Sequence, residues 1–200
     1  MVQMTQHRKT YRLVLLSILT TVIILQTFIP MLGNIPLTPI FSLTLIHITV
    51  IITALVLGPW EGALIGTVWG VGSCLRAYIA PTSPIEQMVF TNPLIAVLPR
   101  LLVGLTAGYS YRALRKIKRF DFSLLTIASV IGALTNTVLV LGLIFFIYRA
   151  PYAHSLHVSY SHLLPALAAI IVTNGIPEAI AAGFVAPIVS KALRRVVPHD

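Results

Sequence analysis

The chain has 200 residues, of which 57% are apolar and only 10% charged, and its mean hydropathy is +0.93. A soluble domain of this size carries about 25% charged residues, so there is too little polar surface here to cover a globule in water, and the bilayer is the natural solvent. The net charge of +9 would raise nucleic acid in a soluble protein, but no aromatic-interleaved basic surface accompanies it.

Hydropathy predicts an all-α, polytopic membrane protein with one transmembrane domain over 1–200 and six helices, at about 12–29, 39–57, 60–80, 93–113, 123–147 and 164–193. Each segment is about 18 residues or longer, enough at 1.5 Å per residue for a hydrocarbon core of about 30 Å. The last is overlong and is expected to leave the membrane before Lys191. Along the first, Ser17 and Thr21 form a small-xxx-small step, which serves either internal packing or the docking of a partner helix. That segment runs into Pro30 and Gly33 without a small-residue cleavage site, so no cleavable signal is expected.

The turn between the second and third segments is only Gly58-Pro59-Trp60. Gly58, Gly62, Gly66 and Gly70 then recur every four residues, a ladder that lets a neighbouring backbone approach one helical face. Internal packing is one role for it, and a surface that docks to or slides against another helix is the other. Cys74 is the single cysteine, which excludes an internal disulfide and any cysteine-based metal cluster.

An ionisable residue in a span costs roughly 2.5–3.5 kcal/mol at mid-membrane and needs a reason. Arg100, in the fourth segment, follows Asn92-Pro93 and Leu98-Pro99. The prolines free backbone carbonyls, and a planar five-donor fork beside them suits a carboxylate. Salt bridging to Glu178 or snorkelling toward headgroups are the structural alternatives. Gly132 and Asn136 in the fifth segment share a helical face, as do Asn174 and Glu178 around the Pro177 turn of the sixth. Asparagine amides offer donors and acceptors to hydroxyls and amides, or to other helices. One cation among neutral polar groups points to an anionic, hydroxyl-bearing solute.

Eleven of the fourteen basic residues fall in three clusters: Arg8, Lys9 and Arg12; Arg112 to Arg119; and Lys191 to Arg195. With six spans all three lie on one side, and the positive-inside rule places both termini in the cytoplasm. The outer connections 30–38, 81–92 and 148–163 are the long ones, which suits a lid. Tyr148, Tyr152 and Tyr160 in the last of them are interfacial anchors or ligand contacts. His154, His157 and His162 lack metal-site spacing and no carboxylate or cysteine completes a set, so no metal is expected. No phosphate-cradling G-x-x-x-x-G-K-[ST] loop and no nucleophile–base constellation occurs. The chain is therefore expected to be no enzyme, to use no cofactor and to draw no energy from ATP on its own.

Six short spans, Leu57-Gly58-Pro59-Trp60-Glu61-Gly62 opening the glycine ladder and a basic loop before the fifth span resemble an S component of an energy-coupling factor (ECF) transporter. The stretch Thr91-Asn92-Pro93-Leu94 to Leu98-Pro99-Arg100-Leu101-Leu102-Val103-Gly104 is similar to the pantothenate-type branch. The resemblance implies a substrate-binding subunit of a bacterial cytoplasmic membrane that works with a transmembrane scaffold subunit and two cytoplasmic ATPases. It implies a docking face at Ser17 and Thr21, where such proteins commonly carry alanines. It also implies Arg100 on the carboxylate of pantothenate, with Asn136, Asn174 and Glu178 available for its hydroxyls and amide; Glu178 would then be protonated or turned away from the carboxylate. An S component for hydroxymethylpyrimidine, pyridoxine or riboflavin, a proton-driven carrier using Glu178, and a structural or signalling bundle are the other readings.

Overall fold

The computed structural model describes residues 2–36, 42–117, 121–156 and 158–196. Lys118 and Arg119 of the interior basic cluster, His157, and the end of the 30–38 connection lie outside the described residues. The chain is helical: α1 (Val2–Phe28), α2 (Pro30–Gly33), α3 (Ile46–Val56), α4 (Pro59–Ile79), α5 (Pro84–Phe90), α6 (Pro93–Leu114), α7 (Asp121–Ile147), α8 (Arg149–Ser155), α9 (Leu163–Ile170) and α10 (Ile176–Val196). A short antiparallel pair, β1 (Asn34–Pro36) and β2 (Ser42–Thr44), joins Asn34 to Thr44 and Ile35 to Leu43. Among the described residues, four stretches are long and apolar enough to cross a membrane: Lys9–Phe28, Pro93–Leu114, Asp121–Ile147 and Tyr160–Arg195.

Of the segment expected to cross at 39–57, residues 39–41 lie outside the described residues; the rest forms a strand at Ser42–Thr44 and a helix over Ile46–Val56. Strand pairing satisfies backbone groups that a longer helix would have bonded internally, and such irregular backbone persists at depth only when protein covers it. Every residue of α3 from Ile46 to Leu55 is buried, as an all-round apolar helix requires. Around it lies the main core, where Ile23, Val50, Ile51, Ile65, Val103 and Leu125 are fully buried.

α4, at 21 residues, carries Glu61 and Arg76 and is glycine-rich, which separates it from the four most apolar stretches. Gly58 turns the chain from α3 into α4 with φ 132°, a conformation that side chains resist, and Pro59 opens the helix. The ladder then forms the seam with α6. A Cβ at Gly66 would lie 2.1 Å from the Arg100 carbonyl oxygen, and one at Gly104 would lie 2.2 Å from the carbonyl carbon of Gly62. Gly62 and Gly66 are buried against α3 and α6 of the same chain, and Gly58 sits half-buried in the turn. Close packing of α6 on α4 is what the spacing encodes, and it fixes the backbone from which Arg100 projects.

α9 and α10 form one helical run interrupted by a π-turn at Ile171–Gly175, closed by the Ile176 N–H donating to the Ile171 carbonyl. Pro177 has no N–H for the Thr173 carbonyl, and that local loss favours the wider turn. A second apolar cluster, including Val89, Ile95, Leu141, Ile144, Tyr152 and Leu163, gathers α5, α6, α7, α8 and α9. It walls a cavity at the end of the bundle away from the chain termini.

Candidate functional site

That cavity has a volume of ≈ 310 Å³ and is lined by Arg100, Asn136, Asn174, Glu178 and Tyr152 among others. Five residues expected at the site from four separate elements thus share one space, whose size falls in the range of small-ligand sites. Asn92 and Gly132 do not line it. Asn92 caps α6, its side chain accepting from the Leu94 N–H at 3.0 Å, and Gly132 packs against Ala107 and Ile51.

Arg100 is 5% exposed. Pro99 removes the N–H that would bond the Ile95 carbonyl in a regular helix, and the Arg100 guanidinium takes that carbonyl instead, Nη1 donating at 2.6 Å. Aromatic rings hold the rest of the group: its carbon lies 5.0 Å from the Trp69 ring centroid and 4.5 Å from that of Phe90. Cation–π contact offsets part of the cost of burying the charge. Its Nε, however, has no hydrogen-bond partner among the described residues.

Glu178 faces the same cavity without pairing to Arg100; no carboxylate lies within 4.0 Å of Arg100 among the described residues. Its Oε1 accepts from the Thr44 N–H at 2.7 Å, so β2 is what engages the carboxylate. The π-turn brings Asn174 to the lining together with Glu178. Oδ1 of Asn136 and Oδ1 of Asn34 are buried without partners among the described residues, and both residues line the cavity. A buried polar atom without a partner costs about 1–3 kcal/mol. Three residues that line one space, one of them a cation, thus each carry a buried polar atom without a partner among the described residues, and their donors and acceptors match an anionic solute that also carries hydroxyl or amide groups.

Trp69, Phe90, Asn34 and Thr137 were not expected at the site, yet all line it. Trp69 stands inside the glycine ladder next to Gly70, and Phe90 directly precedes Thr91-Asn92-Pro93; an aromatic beside a helix seam or a cap is the one signal either position offers. The rim is set by Arg76 and Glu86. Arg76 donates from Nε to Glu86 at 2.9 Å and from Nη1 to the Thr27 carbonyl at 2.8 Å. Glu86 also accepts from the Thr82 N–H at 2.8 Å and from the Thr82 hydroxyl. This ties α5 and its preceding turn to α4 and α1. Tyr152, on α8, is buried, and burial pushes its phenol pKa up from the ordinary value, so it meets the cavity as a neutral group.

Ser17 and Thr21 do not line this space; they lie on the exposed face of α1, beside Leu13, Val14 and Ile18. Their hydroxyls donate to the carbonyls of Leu13 at 2.9 Å and Ser17 at 3.0 Å, so the face presents no unmet donor.

Residues 11–190 match the family model of the ECF transporter substrate-specific component. The pantothenate transporter PanT of Leuconostoc mesenteroides subsp. mesenteroides is 39% identical over 137 residues, 66% of this chain and 67% of the relative. The pantothenic acid transporter PanT of Lactococcus lactis subsp. cremoris is 34% identical over 164 residues, 76% of this chain and 78% of the relative. These are transport proteins and not enzymes, in agreement with the absence of catalytic motifs from the sequence. A helical fold with membrane-length helices, a polar-lined cavity at one end of the bundle and a match over most of its length agree: the chain belongs to the family of substrate-specific components of ECF transporters.

Proposed function

We propose that this chain captures pantothenate in the α5–α10 cavity and delivers it across a bacterial cytoplasmic membrane as the S component of an ECF importer. The observation that carries the substrate assignment is the buried Arg100 guanidinium, which lines the cavity, is held by Ile95, Trp69 and Phe90, and has an Nε without a partner among the described residues. Arg100 takes the carboxylate of the vitamin, a charge-assisted contact. Asn34, Asn136 and Asn174 serve its hydroxyls and amide, while Glu178 stays turned to Thr44. The names of both relatives support the same vitamin. Riboflavin, pyridoxine and hydroxymethylpyrimidine lack a carboxylate and would leave the guanidinium unmatched.

In this reading six segments cross the bilayer: α1, the β2 strand with the 11-residue α3, α4, α6, α7 and the α9–α10 run. The three basic clusters support cytoplasmic termini, because Arg12, Arg112, Arg115, Lys191, Arg194 and Arg195 meet at one end of the bundle. A transmembrane scaffold subunit and two ATPases supply the energy, and Ser17 and Thr21 lie on the face that docks to the scaffold. Equilibrium binding of labelled pantothenate to the purified chain tests the substrate; absence of saturable binding removes it. Co-purification of a scaffold subunit and ATPases with the tagged chain tests the assembly. Proton-driven uptake by the chain alone in liposomes would instead favour a self-sufficient carrier.

A further inference from the structure

A second cleft, of ≈ 680 Å³, opens at the end of the bundle that carries the chain termini. Its lining includes Arg12, Arg112, Arg115, Lys191, Arg194 and Arg195, with Asp121 as the one carboxylate among the described lining residues. Two of these cations are used internally. Arg12 pairs with Glu61 and donates to the Leu57 carbonyl at 2.9 Å, while Arg194 bonds Tyr111 and the Leu55 carbonyl and lies 3.7 Å from Asp121. Arg112, Arg115, Lys191 and Arg195 have no carboxylate partner among the described residues.

Arg112 lies over the Tyr109 ring at 5.9 Å, and four cations with no carboxylate partner among the described residues around one concave space repel one another unless an anion enters. Topology alone would be served by dispersed basic loops; it does not call for a cleft between helices. Two large aromatics mark the level of the cleft. Trp60, 67% exposed, follows the Gly58-Pro59 turn at its edge, and Tyr109, 46% exposed, follows Gly108 in its wall. Exposed tryptophan and tyrosine at the ends of membrane helices sit at headgroup depth. The anion at hand there is a phosphate carried by a lipid, and basic pockets between helices on this side of a membrane hold such headgroups.

We infer that this cleft is a binding site for a phosphate group, filled in the membrane by the headgroup of an anionic phospholipid. The inference rests on the bilayer-spanning reading above but not on pantothenate. Arg112 and Lys191 are exposed, so replacing them leaves the core intact.

The test is native mass spectrometry of the purified full chain in neutral detergent, supplied with equal amounts of phosphatidylglycerol and phosphatidylcholine. Retention of phosphatidylglycerol in clear excess is expected, with a loss of about tenfold in the Arg112→Gln/Lys191→Gln double variant. Should that variant fail to fold, Arg115→Gln/Arg195→Gln serves in its place. Added inorganic phosphate at millimolar concentration separates the sources: persistence of the lipid supports the headgroup, and its displacement supports a soluble phosphate compound at the same site. Equal retention of the two lipids overturns the proposal, as does retention unchanged in both variants. Unchanged lipid retention with weaker co-purification of a scaffold subunit would reassign the cleft to a protein partner. Pantothenate binding measured on the same preparation fails or succeeds independently of these outcomes.

Discussion

The Arg100 guanidinium donates at 2.6 Å to the carbonyl of Ile95, the acceptor left without a helical donor because position 99 is proline. Neither residue alone explains the arrangement. An interior proline costs a helix about 3 kcal/mol, and a buried guanidinium needs partners for its donors. Adjacent in sequence, the two defects cancel in part, and the remaining donors are left for the cavity.

Pro99→Ala therefore separates stability from binding. Alanine restores the N–H to the Ile95 carbonyl, which raises the thermal midpoint and competes with Arg100 for its anchor. A hydrogen bond of this kind contributes about 1 kcal/mol, so pantothenate affinity is expected to fall roughly fivefold. Calorimetry on the purified variant checks both; unchanged affinity would show that Ile95 does not position the guanidinium.

Gly66→Val tests the α4–α6 seam. The added side chain starts 2.1 Å from the Arg100 carbonyl oxygen, a backbone atom that cannot swing aside. Overpacking of this kind costs about 1–3 kcal/mol, and the shift of α6 weakens binding as well. A thermal midpoint and affinity equal to those of the parent would contradict the close approach.

Arg76→Ala tests the rim. The side chains of Arg76 and Glu86 are 11% and 7% exposed, and removing one partner leaves the other charge buried. Such a loss costs about 3–5 kcal/mol, read as a lower unfolding midpoint. Replacing Arg76 and Glu86 together by methionine and leucine is expected to recover much of it. A double variant no more stable than the single one would mean that the pair does more than neutralise itself.

Ser17→Trp and Thr21→Trp act at the other surface. Each places a bulky group on the exposed face of α1, where the native hydroxyls bond only their own helix. Pantothenate binding by the isolated chain is expected to be unchanged, and co-purification of scaffold and ATPase subunits to fall severalfold. Undiminished co-purification would move the docking face elsewhere.

Much of the lining of the candidate cavity was readable from the residues because polar groups at membrane depth are costly and therefore informative. Arg100 and Glu178 stood out on that ground, and the proline beside each marked where the helix would loosen. Asn136 and Asn174 followed from the same rule. Trp69 and Phe90 did not, since an aromatic in an apolar helix looks the same whether it lines a cavity or a lipid face. Asn34 was hidden in a connection, and only its pairing with Thr44 across β1 and β2 brings it to the cavity. The glycine ladder was legible as a close approach but not as to which helix would fill it. Hydropathy also extended the second helix upstream of Ile46, because a window centred on the strongly apolar Ile46–Val56 run carries the less apolar Ser42–Thr44 strand along with it.

The central claim is that Arg100 reads a carboxylate inside the cavity, and the sharpest test compares pantothenate with its alcohol analogue pantothenol on the parent chain and on Arg100→Ala. A buried charge-assisted bond contributes about 1.5–3 kcal/mol, so the parent is expected to prefer pantothenate by at least about tenfold and the variant to bind both alike. Equal binding of the two by the parent, or a preference that survives loss of Arg100, would contradict the account.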